Sequence, residues 1–391
     1  MTHFCSNDKV SVVTALLPRE SSDEVIERIF NEGEPNVLLL NARGTLSKDR
    51  WYRRMLPLIS PEKTLLQLFV PDPEVDHIVE EIIASGGLQR AGAGAVFSVP
   101  CDEFSYTSDF TLWSGDFADA PDATDSLKEN LTAIFCIVQP EQTDVISRAA
   151  MQAGAHGPIV HYCEGRGLRD RLGWLKITKK PTKEVLVVVV DNADADTVVE
   201  AMVSAGRIDM PGRGFLYRMP VQKGLVSIAS TVGARQATMQ QVVAAIDSLK
   251  GSTAWREQGV FQSVGARSAG LNLFGKLRQR QHLGGQVILS CIMARKHAGH
   301  VMDAALAAGA PGANVSQARF IEATSERTSH GVRLTSERSI VHLILAPGQL
   351  ARVRNAVIDC MASREMTGAC VYAQPVSRAY TYIPGAAKVA S

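Results

Sequence analysis

Three glycine-bearing turns are where this 391-residue chain could do phosphate chemistry: Gly92-Ala-Gly94, Gly212-Arg213-Gly214 and Thr367-Gly368-Ala369. A glycine-rich turn can aim consecutive backbone amides at phosphate oxygens, and a nearby Lys or Arg adds charge. Only the middle turn carries a cation, Arg213. The competing reading is that these glycines simply make tight turns, their usual job. No Gly-Lys-Ser/Thr follows any of the turns, as a P-loop would require. Nor do they open a helix in the dinucleotide-binding manner. The nine His are dispersed, and His297 and His300 have no nearby carboxylate to complete a ligand set, so no metal is expected. No Ser-His-Asp or Cys-His arrangement can be assembled from sequence order, and the reading is non-enzymatic.

The elements that hold these turns recur three times. The intervals Gly33 to Pro100, Gly154 to Pro220 and Gly309 to Pro375 span 67, 66 and 66 residues. Repeats of this regularity take precedence over any local pattern. The second copy is the clearest. Leu131–Val138 reads as a buried strand, ended by Pro140, with Thr143 or Asp144 capping the helix that follows. Gly154 stops that helix. Then come Pro158–Cys163, the Val-rich strand Glu184–Val190, the amphipathic helix Asp191–Ser204, and Phe215–Met219. The order is β-α-β-β-α-β, the split unit of the ferredoxin-like fold. Copy one repeats it as Val10–Leu17, Ser22–Glu32, Asn36–Ala42, Thr64–Val70, Glu74–Ser85 and Ala95–Val99. Copy three gives Gln286–Met293, Gly299–Ala308, Asn314–Ile321, Ser339–Leu345, Gly348–Met361 and Cys370–Ala373.

The fold class expected is therefore α+β, with domains at 8–112, 131–232 and 285–391. An acidic, solvated linker, 113–130, joins the first two. The connector 233–284 holds an amphipathic helix near Thr238–Arg256 and a basic piece, Phe274 to His282, read as a surface helix that could also touch lipid headgroups or an acidic helix. Hydrophobic residues make up 46% and charged residues 21%, enough apolar matter for three cores. A net charge of +1 argues against nucleic acid as a partner. Seven Cys without a Cys-x-x-Cys pair suit reduced thiols in a cytoplasm. The longest apolar run, Val185 to Val190, is too short to span a bilayer.

The repeats resemble the P-II (nitrogen regulatory protein) signal-transduction family. Ile137-Val-Gln-Pro140 is similar to the family's first-strand exit, and Glu164-Gly-Arg166-Gly167 to the start of its long T-loop. Pro211-Gly-Arg-Gly-Phe-Leu-Tyr217 is similar to its B-loop and following strand. The likeness covers about three quarters of the chain and rests on shared order and spacing in triplicate.

The resemblance implies three tandem P-II-like domains packed as an intramolecular pseudo-trimer, with adenine nucleotide (ATP, ADP or AMP) held in the clefts between them. The nucleotide residues it points to are Gly212, Arg213, Gly214, Gly92, Gly94 and Gly368, with Lys223 and Arg378 as basic residues after the closing prolines. The family's B-loop Lys is missing from all three turns, and copy one continues Cys101-Asp-Glu, which repels phosphate. Partner-gripping loops would carry Arg43, Trp51 and Tyr52 in copy one, and Arg166, Arg169, Arg171 and Trp174 in copy two. Arg interleaved with Trp and Tyr suits a protein contact surface; the plainer reading is a solvated basic loop. The function implied is a non-catalytic regulator or assembly protein docking on a protein partner. By analogy that partner is a membrane transporter complex for ammonium or inorganic carbon. The alternative is a constitutive structural subunit with vestigial clefts.

Overall fold

The computed structural model describes residues 3–7, 9–33, 35–44, 62–90, 93–115, 127–155, 157–167, 182–226, 281–322 and 335–383. The described residues form an α+β structure of six α-helices and one extended antiparallel sheet of fifteen strands. A short β1 (Phe4–Ser6) precedes the first copy, which runs β2 (Val10–Pro18), α1 (Arg19–Glu32), β3 (Val37–Gly44), β4 (Glu62–Pro71), α2 (Val75–Ser85) and β5 (Ala95–Pro100). After β6 (Glu103–Thr107), the second copy runs β7 (Leu131–Val138), α3 (Pro140–Gln152), β8 (Ile159–Gly167), β9 (Thr182–Asp191), α4 (Asn192–Gly206) and β10 (Gly214–Pro220). After β11 (Gly224–Val226), the third runs β12 (Leu283–Ala294), α5 (Ala298–Ala307), β13 (Gly312–Ile321), β14 (Ser336–Leu345), α6 (Pro347–Ser363) and β15 (Cys370–Tyr380).

Within each copy the strands pair in the order fourth, first, third, second: β5-β2-β4-β3, β10-β7-β9-β8 and β15-β12-β14-β13. The Val run of β9 shows why these strands are so apolar. Val185, Val187 and Val189 face a core common to all three copies, while Leu186, Val188 and Val190 face the helices of copy two. A strand buried on both faces needs no polar alternation. The helices obey the complementary rule, as in α1, where Ser22, Val25, Ile26 and Ile29 form its buried stripe. The inner sheet faces thus make one shared core, and the outer faces make three separate cores under paired helices.

Pairing between copies closes a cycle. The end of β3 pairs with the start of β8, the end of β8 with the start of β13, and the end of β13 with the start of β3. A second cycle uses the segments that follow the fourth strands. The arm of copy one (β6) pairs with β15, the arm of copy two (β11) with β5, and the last residues of β15 with β10. Each copy therefore lends a strand to one neighbour and receives one from the other.

Three local expectations are corrected. Pro140 does not merely end β7: it is the first residue of α3, with Gln139 extended before it, so Thr143 lies buried inside the helix and caps nothing. A first-turn proline forfeits a donor the helix would not have used. Second, β15 does not close on Pro375 but continues to Tyr380. Pro375 falls between the stretch paired with β6, ending at Ala373, and the stretch paired with β10, beginning at Arg378. A proline is tolerated where that edge of the strand has no partner. Third, the acidic linker is not solvated at its ends. Trp113 is buried in the outer core of copy one, Gly115 bridges Gly33, and Lys128 bridges Gly224.

Candidate functional site

Each glycine turn opens a fourth strand, and the arm of a neighbouring copy meets it there. The turn of copy three is the most fully engaged. Gly368, at φ 54°, donates its amide to Asp109 Oδ2 at 2.7 Å, and Ala369 donates its amide to Thr107 Oγ1 at 3.0 Å. Both acceptors lie on the arm of copy one. The Thr107 hydroxyl donates in turn to the Ala369 carbonyl at 3.2 Å, and Arg338 Nη1 donates to the Thr367 carbonyl at 3.1 Å.

The turn of copy two is built similarly but met differently. Thr381, on the arm of copy three, donates its hydroxyl to the Gly214 carbonyl at 3.2 Å, as Thr107 does to Ala369. The Arg213 amide donates to the Met210 carbonyl at 3.3 Å, so it closes the turn. The side chain of Arg213 is exposed beside Gly212, whose φ is 69°. A Cβ on Gly214 would lie 2.7 Å from the Ile137 carbonyl oxygen, which makes this glycine a packing requirement. Gly94 in copy one is alike: at φ 150°, any Cβ would strike the Leu16 carbonyl oxygen. Gly92 lies outside the described residues.

The arm cations are committed elsewhere. Lys223 Nζ sits 2.5 Å from Asp76 Oδ2 on α2 of copy one. Arg378 and Arg218 share Asp196 on α4 of copy two, at 3.4 and 2.5 Å. At the third junction the signs are exchanged: Glu103 on the arm meets Arg354 on α6. The acid after Pro100 thus has a counter-ion of its own, and each arm answers the charge of the helix it crosses.

Trp51, Tyr52, Arg169, Arg171 and Trp174 lie outside the described residues, as do the expected helix near Thr238–Arg256 and most of the basic piece before His282. The backbone of Arg166 pairs with Ala313 between β8 and β13. Arg43 is engaged within the chain. It reaches from β3 to the carboxylate of Glu184 on β9 at 3.1 and 3.3 Å, with Asp144 at 3.6 Å. Glu184 is only 2% exposed, so this guanidinium is its compensation. Removing one partner of a buried charge leaves the other uncompensated. Arg43→Ala should therefore cost about 2–3 kcal/mol in urea denaturation, and Arg43→Ala with Glu184→Leu should recover most of it. A single variant as stable as wild type would show that Glu184 is satisfied without Arg43.

Where the three second strands converge, a cavity of about 360 Å³ opens between copies. His161, Tyr162, Glu164, Arg295, Arg319 and Glu337 contribute to its wall. Opposite charges are mixed there: Arg295 pairs with Glu337 at 3.1 Å, and Arg319 Nη2 donates to Asn41 Oδ1 at 3.4 Å. His161 is buried, and burial lowers its pKa to about 4, so its imidazole is neutral near pH 7. His342, hydrogen-bonded through Nδ1 to Ser290 Oγ at 2.9 Å, is lowered to about 3 by burial and by the neighbouring His161. Burial likewise pushes the Cys136 and Cys163 thiols up to about 12, so neither supplies a thiolate. Among the described residues, no group of three His, Cys, Asp or Glu is placed to hold a metal ion.

No family model matches the chain. Among solved structures, it is similar to a microcompartment protein from Desulfitobacterium hafniense DCB. The match has 13% identity, spans 54% of this chain and 94% of the other, and has a TM-score of 0.18. At that score the likeness carries no argument about fold or function.

Sequence reasoning missed Asp109, Asp76, Asp196, Arg354 and Glu184. The charge reversal after Pro100 was visible in Cys101-Asp-Glu. Its partner was not, because Arg354 is 251 residues away and meets Glu103 only through exchange of arms. Among the described residues, no helix is long and apolar enough to cross a membrane.

Proposed function

We propose that this chain is a non-catalytic P-II-like assembly or regulatory protein: three ferredoxin-like units fused into one pseudo-trimeric ring that docks a protein partner. The observation that carries the reading is the double cycle of pairings, with second strands joined end to start and arms exchanged around the ring. In that arrangement the ends of β3, β8 and β13 hold equivalent places in the cycle of pairings, and the sequences that follow them differ: Arg/Trp/Tyr-rich in copy one, Arg/Trp-rich in copy two, Ser/Thr/Glu/Arg-rich in copy three. One chain would so present three unequal loops to one partner, for which a transporter complex is the analogy.

The constitutive form of this function is favoured over a nucleotide-regulated one. Lys223 and Arg378 are paired to helix aspartates, and the Gly368 amide is held by Asp109. The turn of copy two, with exposed Arg213, is the place where an adenine nucleotide would bind if any does. Native mass spectrometry should give one chain mass, 42.2 kDa, and a multiple of it would sink the closed ring. Calorimetry with millimolar ATP, ADP and AMP should show no binding. Measurable affinity that Arg213→Glu abolishes would restore the nucleotide-regulated version.

A further inference from the structure

We propose that the turn of copy three is an oxyanion-binding site whose resident anion is the chain's own Asp109 carboxylate. Three observations converge. The Gly368 amide points at Asp109 Oδ2 at 2.7 Å, a charge-assisted bond across 259 residues of sequence. The next amide, on Ala369, is bonded to the Thr107 hydroxyl, so two successive donors face the arm. Behind them lies a cation: Arg338 is 7% exposed, and its Nη2 would be 2.5 Å from a Cβ placed on Gly368. Glu322 Oε1 accepts from that same Nη2 at 3.0 Å and offsets part of its charge.

Successive amides backed by a guanidinium are what an oxyanion requires. Asp109 approaches from solvent: it is exposed, at the third position of a turn closed by the Phe110 amide on the Thr107 carbonyl at 2.8 Å. Copy two supplies the contrast. Thr381 takes the place of Thr107 there, and the residue two further on is Ile383, not an acid. Of these two junctions the internal anion belongs to that of copy three, where it excludes phosphate-bearing molecules from the turn, while the turn of copy two has no such guard.

The test uses the full chain, labelled with ¹⁵N-glycine and titrated with inorganic phosphate while the Gly368 amide resonance is followed. Wild type should leave that resonance unmoved at millimolar phosphate. Asp109→Ala should shift it saturably, with phosphate bound at least tenfold more tightly than by wild type. An unmoved Gly368 resonance in folded Asp109→Ala overturns the assignment, as does an equal response in wild type. If Asp109→Ala fails to fold, Asp109→Asn replaces it, since a neutral oxygen stays on Gly368 without the charge. It too must bind phosphate more tightly than wild type, and failure there is equally decisive.

Discussion

Replacing Phe110 by alanine is expected to destabilise the whole chain by about 3–5 kcal/mol, the largest effect of any single truncation in the arms. Phe110 is 2% exposed and lies at the centre of an aromatic group drawn from two copies. Its ring is 5.4 Å from Phe69 of copy one, nearly edge-on, and 6.0 Å from Phe320 of copy three, nearly stacked. Phe104 and Tyr106 on the same arm sit at 6.1 and 6.4 Å. Truncation removes the transfer energy of the ring and leaves a cavity walled by other rings, which cannot collapse without leaving their own rotamers. Phe110→Leu, which fills most of the volume, should cost about 1 kcal/mol. Because the inner core is continuous across the copies, both variants should still unfold in one transition, with the urea midpoint lowered and the slope kept. A loss below about 1 kcal/mol for the alanine variant would mean that the arm does not hold copies one and three together.

The second large effect is acid sensitivity. His161 is buried and His342 half-buried, and both are neutral, with pKa values lowered to about 4 and about 3 by desolvation, and by their mutual proximity in the case of His342. In the unfolded chain both titrate near 6.5. Between that value and the folded pKa the unfolded state binds more protons, so the contribution is complete above pH 6.5 and is lost as pH falls toward 4 and then 3. At the foot of the window the loss is on the order of 3 kcal/mol or more per imidazole. The pseudo-symmetry supplies the control. His161 pairs with Val185 as Leu40 pairs with Leu65, and Val185 and Leu65 hold the same place opposite the first strand. His161→Leu therefore copies what copy one already packs. It should flatten the fall of stability between pH 6 and pH 4, measured as the urea midpoint at half-unit steps. An unchanged slope would place the acid sensitivity elsewhere.

Local patterns announced much of the architecture. Glycines and prolines at matched intervals, with apolar runs between them, marked the strands and helices of all three copies to within a few residues, the far end of β15 excepted. Even the double burial of β9 was latent in its unbroken apolar run, Val185 to Val190, since only a strand covered on both sides can omit polar positions. The local errors came where one signal had two outcomes. Pro140 ends a strand and also begins a helix, and Pro375 stands inside a strand whose neighbour changes beside it.

The turns and charges were harder to read. Gly368 looks the same in sequence whether its amide meets a phosphate, a water or Asp109, because nothing near it in the chain specifies the acceptor. Lys223, Arg378 and Glu103 likewise appear as exposed charges until the arms cross to another copy and set each beside an opposite charge. Secondary structure follows from contacts a few residues apart, and the chain therefore states its repeats openly. The identity of a charge's partner depends on closure of the ring, which joins residues 147 to 259 positions apart. Such pairings carry no periodicity of their own and arise only once the copies have packed.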